Sequence, residues 1–219
     1  MVQPKTRKRI VDALMGLAAE RPWDEVKLET VAERAGVTLV ALRAAYESRF
    51  DVLAEFVKRV DEQVLARIDP DLAEEAPRER LFDVLFSRLE ALAPHKQAIR
   101  NLGEASRCDP LMTLQLNRIV TGSMAWMLTA AGITATGTMG AVRAQGLAVV
   151  WARVLRVWLH DDDPGLARTM AELDRRLRQA ERTAIRLDRV ARTVRGSRRS
   201  RPAPRTPSEE SDVAEGHPS

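Results

Sequence analysis

The chain has 219 residues, of which 45% are hydrophobic and 30% are charged, and its formal net charge is +4. This composition is typical of a globular protein with one or two domains. The sequence contains no run of about 18 uncharged apolar residues, which excludes a membrane-spanning helix. No apolar segment follows the N-terminal charges, so we expect no secretory signal and a cytoplasmic protein.

The cysteines, histidines and short motifs give little sign of catalysis or metal binding. Cys108 is the single cysteine, which excludes an internal disulfide and indicates a reducing compartment; we expect a buried, inert thiol. The three histidines share no metal-binding spacing, and no nucleophile-elbow, phosphate-loop or dinucleotide-binding motif occurs. We therefore predict a protein that is not an enzyme and that holds no metal or cofactor.

The charge is distributed unevenly along the chain. Residues 1–9 carry +4, and residues 175–205 carry +10 because twelve arginines there outnumber two acids. The last fourteen residues carry −4, which leaves −6 for residues 10–174. The positive charge therefore lies in two terminal segments, where it favours anionic partners.

Apolar residues recur at helical spacing along almost the whole chain, and no segment alternates as a strand would. The predicted fold class is therefore all-α. Gly36 is expected to end the second helix and Thr38 to cap the third. The predicted helices cover residues 5–20, 30–35, 39–46, 50–68, 77–92, 94–107, 109–131 and 140–159, and a last helix begins at Asp163-Pro164.

The composition also predicts the domain organisation. Residues 69–77 are acidic and bracketed by prolines, as at a domain boundary. This predicts an N-terminal domain of residues 1–68 and a C-terminal helical domain of residues 77–195. From Gly196 onward the chain has hardly any apolar residue, so residues 196–219 are predicted to form a disordered tail.

Residues 31–38, Val-Ala-Glu-Arg-Ala-Gly-Val-Thr, join two short helices through a tight turn at Gly36. Such a helix-turn-helix lays one helix across the DNA backbone and places the next in the major groove. Residues 5–53 resemble the head of the tetracycline-repressor (TetR) family. The resemblance implies a regulator, in most cases a repressor, that binds a double-stranded operator as a homodimer and responds to an effector.

The sequence departs from the TetR family at three positions in and just after the third helix. Two aromatic residues and a lysine are usual there, and this chain has Arg43, Tyr46 and Arg49. Each can still donate a hydrogen bond to a phosphate. The other residues of this helix are apolar, which leaves contact with thymine methyl groups as the direct base readout. The predicted DNA-binding residues are Lys5, Arg7, Lys8, Thr38, Arg43, Tyr46 and Arg49.

Large, polarisable side chains gather on two consecutive helices of the second domain. In the TetR family the corresponding helices enclose an effector pocket and build a dimer contact. The resemblance therefore implies a site for a small apolar effector, while any one such residue is more often part of a core or an interface. The predicted ligand-binding residues are Met124, Trp126, Met127, Trp151 and Trp158.

Residues 150–177, and residues 157–165 within them, resemble the Coq-nine-type lipid-binding family of ubiquinone biosynthesis. That family is similar in layout to TetR proteins but has a degenerate helix-turn-helix. The resemblance gives an alternative function, a lipid-binding accessory protein for ubiquinone biosynthesis. The apolar third helix favours this alternative, whereas the intact turn and the basic N-terminal arm favour the regulator.

The last predicted helix begins after Asp161–Asp163, three carboxylates that we expect to favour the helix start rather than to bind a cation. Its apolar stripe is strongest from Leu166 through Met170 and Leu173 to Leu177, which predicts that its first half packs on the domain. Arginines accumulate in the second half. Three interpretations stay open there: contact with an anionic membrane, nonspecific attraction to DNA, or a solvated helix end.

Overall fold

The computed structural model describes residues 3–68 and 74–199, with side chains up to Ala184. Apart from short 3-10 turns, the regular structure in these ranges is α-helical, which confirms the predicted all-α class. The helices are α1 (Pro4–Glu20), α2 (Leu28–Ala35), α3 (Leu39–Ala45), α4 (Arg49–Leu65), α5 (Pro77–Leu92), α6 (Lys96–Cys108), α7 (Pro110–Ala130), α8 (Gly137–Trp158) and α9 (Ala167–Arg199).

The chain divides into two units at Arg182. Helices α1–α8 and the first part of α9 belong to the first unit, and the second unit begins at Thr183 with the remainder of α9. Helix α9 continues through Gly196 to Arg199, four residues into the predicted tail. A single glycine costs only about 1 kcal/mol inside a helix and does not by itself end one. The rest of the predicted tail lies outside the described residues.

The helix ends follow the local signals in the sequence. Gly36 and Gly132 adopt left-handed backbone, with φ of 62° and 73°, just after α2 and α7. The Thr38 hydroxyl oxygen accepts a 3.1 Å hydrogen bond from a backbone N–H in the first turn of α3. The Asp109 carboxylate accepts two backbone N–H groups at the start of α7. These contacts satisfy donors that have no partner inside the helix.

Several local predictions are wrong. Helix α8 begins at Gly137 rather than Gly140, and α9 begins at Ala167 rather than at Asp163-Pro164. Helix α4 ends at Leu65 rather than Ile68. A 3-10 turn at Ala93–His95 precedes α6, because Pro94 lies in the first turn of the 3-10 segment, where its missing N–H is not needed. Cys108 is exposed rather than buried, since it is the last residue of α6 and lies at the surface turn into α7.

Helix α4 lies at the centre of the first unit. It packs against α1, α5 and α7, and α7 packs along α8. The core consists of apolar side chains from these helices, among them the almost completely buried Leu14, Val60, Leu89 and Trp151. Within the described ranges, none of the helices has the length and apolarity needed to span a membrane.

Helix α6 connects the ends of two other helices through side-chain donors. The Asn101 amide donates to two carbonyl groups in the last turn of α1, the nearer at 2.9 Å. Directly before Asn101, Arg100 donates to the Leu159 carbonyl at 2.5 Å, and about one turn earlier Lys96 donates to the Asp161 carbonyl at 2.8 Å. Both acceptors follow α8. Helix α6 therefore links the end of α8 to the end of α1.

Candidate nucleic-acid interface

Helices α1, α2 and α3 form a three-helix head. Val31 and Ala32 of α2 are buried, and the chain reverses at Gly36 before α3. Arg34 donates two hydrogen bonds to the Glu20 carboxylate, at 2.9 and 2.7 Å, which ties α2 to the end of α1. The hydrogen bond from Arg34 lowers the pKa of Glu20. This geometry is that of a helix-turn-helix, with α3 in the position of the recognition helix.

Helix α3 presents a mainly apolar surface to solvent. Val40 is 80% exposed and Leu39 is 50% exposed, whereas Leu42 is buried and anchors the helix to the head. Arg43 is also exposed and lies 3.9 Å from the Glu47 carboxylate, a distance at which a solvated ion pair is weak. Helix α3 therefore offers methyl groups and one available guanidinium to a partner.

The structure places Arg49 against the loop between α1 and α2, and its predicted contact with a phosphate stays a prediction. Its guanidinium donates to the carbonyl oxygens of Trp23 and Val26, both at 2.6 Å, and lies 4.6 Å from the centre of the Trp23 ring. Burial lowers the pKa of Arg49. The residue holds the loop between α1 and α2 against α4, because its Nη1 atom donates to two carbonyl groups of that loop.

Tyr46 is buried, which differs from its predicted position at the DNA surface. The guanidinium of Arg7 lies 5.1 Å from the centre of the Tyr46 ring and 3.9 Å from the Glu55 carboxylate. Burial and the nearby charge of Glu55 raise the pKa of Tyr46. Tyr46 and Arg7 therefore link α3 to α1 and α4, and neither is presented to a partner as freely as Arg43.

The basic N-terminal arm is more accessible. Lys5 and Lys8 are exposed, and Lys8 forms a 2.7 Å ion pair with Asp12. Arg9, which the prediction left out, is exposed as well, and its guanidinium lies beside the turn at Gly36. The position of Arg9 in the same basic segment is a signal that could have identified it.

The residues of the predicted ligand group separate into two environments. Met124, Met127, Trp151 and Trp158 are part of the core, each no more than 2% exposed. Trp126 is 58% exposed and faces a cleft between α4 and α7. The structure therefore does not bring Trp126 together with the other four, whose role in ligand binding stays a prediction.

A buried polar cluster joins α4, α5 and α7, and the sequence analysis missed it. Arg88 of α5 forms an ion pair with Asp61 of α4, and the Ser123 hydroxyl donates to the same Asp61 oxygen at 2.7 Å. The Arg88 guanidinium lies 5.5 Å from the centre of the Trp151 ring of α8. Burial lowers the pKa of Arg88, and the charge of Asp61 opposes this shift.

The structure bears out part of the apolar stripe predicted for the first part of α9. Leu173 and Leu177 are buried as predicted, but Met170 is partly exposed. Asp161 and Asp163 both accept hydrogen bonds from backbone N–H groups around the start of α9, as expected for residues that favour a helix start. The arginines of the second half lie largely outside the described side chains.

Comparison with known proteins gives one match in sequence among curated proteins and several in structure. The HTH-type transcriptional regulator PksA of Bacillus subtilis is 30% identical over 99 residues, which are 45% of this chain and 47% of that protein. The match therefore spans about half the length of that curated relative. No family model matches the chain.

The structural matches extend over more of the chain. A TetR transcriptional regulator from Nitrosomonas europaea has a TM-score of 0.62 at 21% identity, covering 80% of this chain and 97% of that one. A TetR transcriptional regulator from Rhodococcus has a TM-score of 0.56 at 20% identity, covering 80% and 95%. The chain therefore has the fold of TetR transcriptional regulators, with a helix-turn-helix head formed by α1, α2 and α3.

Proposed function

We propose that this protein is a dimeric, DNA-binding transcriptional regulator of the TetR type, acting as a repressor that a small effector releases from its operator. The observation that carries the proposal is the exposed surface of α3, which Thr38 caps and Leu42 anchors. A recognition helix needs such a rigid base and an uncovered outer face. Transcriptional regulators with the same fold support the proposal.

The proposed operator contacts are of two kinds, charged contacts with phosphates and apolar contacts with thymine methyl groups. Arg43 and the basic arm at Lys5 and Arg9 supply exposed cations for the phosphate backbone. Leu39 and Val40 have no hydrogen-bonding side-chain group, so their contacts with base edges are apolar. We therefore expect an operator in which thymine methyl groups line the major groove under α3.

A second copy of the chain is proposed to pack on the outer face of α8. Val142 and Val149 are exposed there, and the small residues Gly146 and Ala152 lie on the same face. A Cβ atom added to Gly146 would meet no atom within 4 Å, so this part of the helix is open to close approach by another helix. Dimerisation places two recognition helices on two half-sites about one helical turn of DNA apart.

Two helices can transmit an effector signal to the head. Helix α4 carries Phe50, whose ring lies 5.7 Å from that of Trp23 in the head, and further along it carries Asp61 of the buried cluster. Helix α6 reaches the end of α1 through Asn101. A shift of either helix changes the support of α1 and α2, which couples effector binding to DNA binding.

Replacing Arg43 should change the salt dependence of DNA binding, whereas replacing Arg49 should change the stability of the head. The Arg43→Ala substitution removes one phosphate contact from each subunit, so the slope of log K against log salt concentration should become less negative by about two for the dimer. The Arg49→Ala substitution removes two hydrogen bonds inside the head and should lower the free energy of unfolding by about 1–3 kcal/mol. Fluorescence anisotropy with labelled duplex and urea unfolding measure the two quantities. An unchanged salt slope for Arg43→Ala would contradict the proposed interface.

The alternative function, a lipid-binding accessory protein for ubiquinone biosynthesis, is not favoured. The proteins that share this fold with high coverage are transcriptional regulators. The surface of α3 also remains uncovered in the described unit, as DNA binding requires.

A further inference from the structure

A cleft of about 460 Å³ lies between α4 and α7, within the range of about 300–1,000 Å³ that small-molecule sites occupy. It runs from the first turn of α4, next to the head, to the buried cluster at Asp61. The residues that line it include Phe50, Ala54, Val57, Lys58, Arg118 and Trp126.

Apolar side chains stand on both sides of this cleft, and some of them are incompletely covered. Phe50 and Val57 of α4 stand on one side, and Ile119 and Trp126 of α7 stand on the other. More than half of the surface of Trp126 is exposed to solvent. An exposed tryptophan beside other apolar side chains marks a surface on which an aromatic or aliphatic group gains free energy by burial.

The charge available in the cleft is positive. Asp51 accepts the backbone N–H groups of Glu47 and Ser48, and Asp61 is paired with Arg88, so both carboxylates are used inside the protein. Arg118 is exposed and forms no ion pair or hydrogen bond within the part of the chain that the structure describes.

A second cation strengthens this positive rim. Lys58 lines the same cleft and lies 3.8 Å from Glu62, with both side chains largely in solvent, so that ion pair is weak. The rim is therefore complementary to an anion, and the walls are complementary to an apolar group.

We propose that the cleft between α4 and α7 binds a small amphipathic carboxylate. Its apolar part packs on the apolar residues that line the cleft, and its carboxylate pairs with Arg118, whose planar guanidinium fits a carboxylate with two hydrogen bonds. Binding of this ligand does not depend on the proposed function. Only its consequence rests on that function: the ligand acts as the effector and separates α4 from α7. Since Phe50 contacts Trp23, such a movement reaches the head directly.

The test is isothermal titration calorimetry of the full chain, without DNA, against 2-naphthoate and the neutral 2-naphthamide. A charge-assisted hydrogen bond should make 2-naphthoate bind at least about tenfold more tightly than the amide. The Arg118→Gln substitution should remove this preference, and the Ala54→Trp substitution should weaken both ligands by filling the cleft. The Arg107→Gln substitution, at an exposed arginine near the end of α6, is the matched control and should change neither ligand.

Two outcomes overturn the proposal: no binding of 2-naphthoate at millimolar concentration, or an equal carboxylate preference in the wild type and in Arg118→Gln. Operator affinity, measured on the same samples, separates this result from the proposed function. A chain that binds duplex DNA but shows either outcome remains a regulator without this site. A chain that binds 2-naphthoate through Arg118 but binds no duplex retains the site and loses the proposed function.

Discussion

The Arg88→Met substitution should lower the free energy of unfolding by about 3–5 kcal/mol, because it leaves the buried Asp61 carboxylate without its partner. Methionine is close enough in size to arginine to limit the cavity, so the effect reports the unpaired charge. Urea unfolding followed by tryptophan emission measures it, and the emission also reports on Trp151, which lies beside the Arg88 guanidinium.

Removing both charges should reverse most of this loss. In the double variant Asp61→Leu with Arg88→Met, apolar side chains replace the ion pair, and such replacements are often neutral or stabilising. The Arg175→Met substitution removes an exposed guanidinium from Glu172, which keeps its ion pair with Arg176, and should have little effect. A double variant no more stable than Arg88→Met alone would show that the stability of this region does not depend on the pairing of Asp61.

The second large effect is expected at the recognition helix. The Val40→Glu substitution places a carboxylate at a position of α3 that is 80% exposed, where the proposed interface brings it near DNA phosphates. Like-charge contact costs several kcal/mol, so operator affinity should fall at least about 100-fold. Fluorescence anisotropy with a labelled duplex measures this loss. The midpoint of urea unfolding should stay the same, because the side chain contributes little to the core.

The Val40→Thr substitution is the matched control. Threonine keeps the shape of valine and one methyl group without adding a charge, so its operator affinity should stay within a few-fold of the wild type. If Val40→Glu binds the operator as tightly as Val40→Thr, α3 does not face the DNA.

Much of the fold follows from local sequence signals. Helix α5 begins and ends as predicted, and α1 begins one residue earlier than predicted, because apolar residues repeat every three to four positions and prolines or glycines flank the helices. Gly36 and Thr38 defined the helix-turn-helix for the same local reason. These features depend on neighbours within a few residues, which the sequence displays.

The functional surface could be predicted only in part, because tertiary contacts decide which side chains are free. Arg49 and Arg43 both have donors suited to a phosphate, but two carbonyl groups of the preceding loop accept hydrogen bonds from Nη1 of Arg49. Trp126 and Met127 are adjacent in sequence and differ in burial, since they lie on different sides of α7. Neither distinction is visible from residue type.

The buried cluster did leave a signal in the sequence. Arg88 lies four residues after Val84 and four before Leu92, so it occupies the apolar stripe of α5. Asp61 stands next to Val60 on the buried side of α4. A charged residue within an apolar stripe requires a buried partner, and two such residues of opposite charge on consecutive helices indicate a pair.

The most direct test of the regulator hypothesis is selection of bound duplexes from a random pool by the full chain, with the Val40→Glu variant selected in parallel. The wild type should enrich an inverted repeat whose half-sites lie about 34–36 Å apart, one turn of DNA, with thymines in each half-site. The variant should enrich nothing. A wild-type pool without an enriched inverted repeat, or the same sequences selected by both proteins, would contradict operator recognition by a dimer through α3.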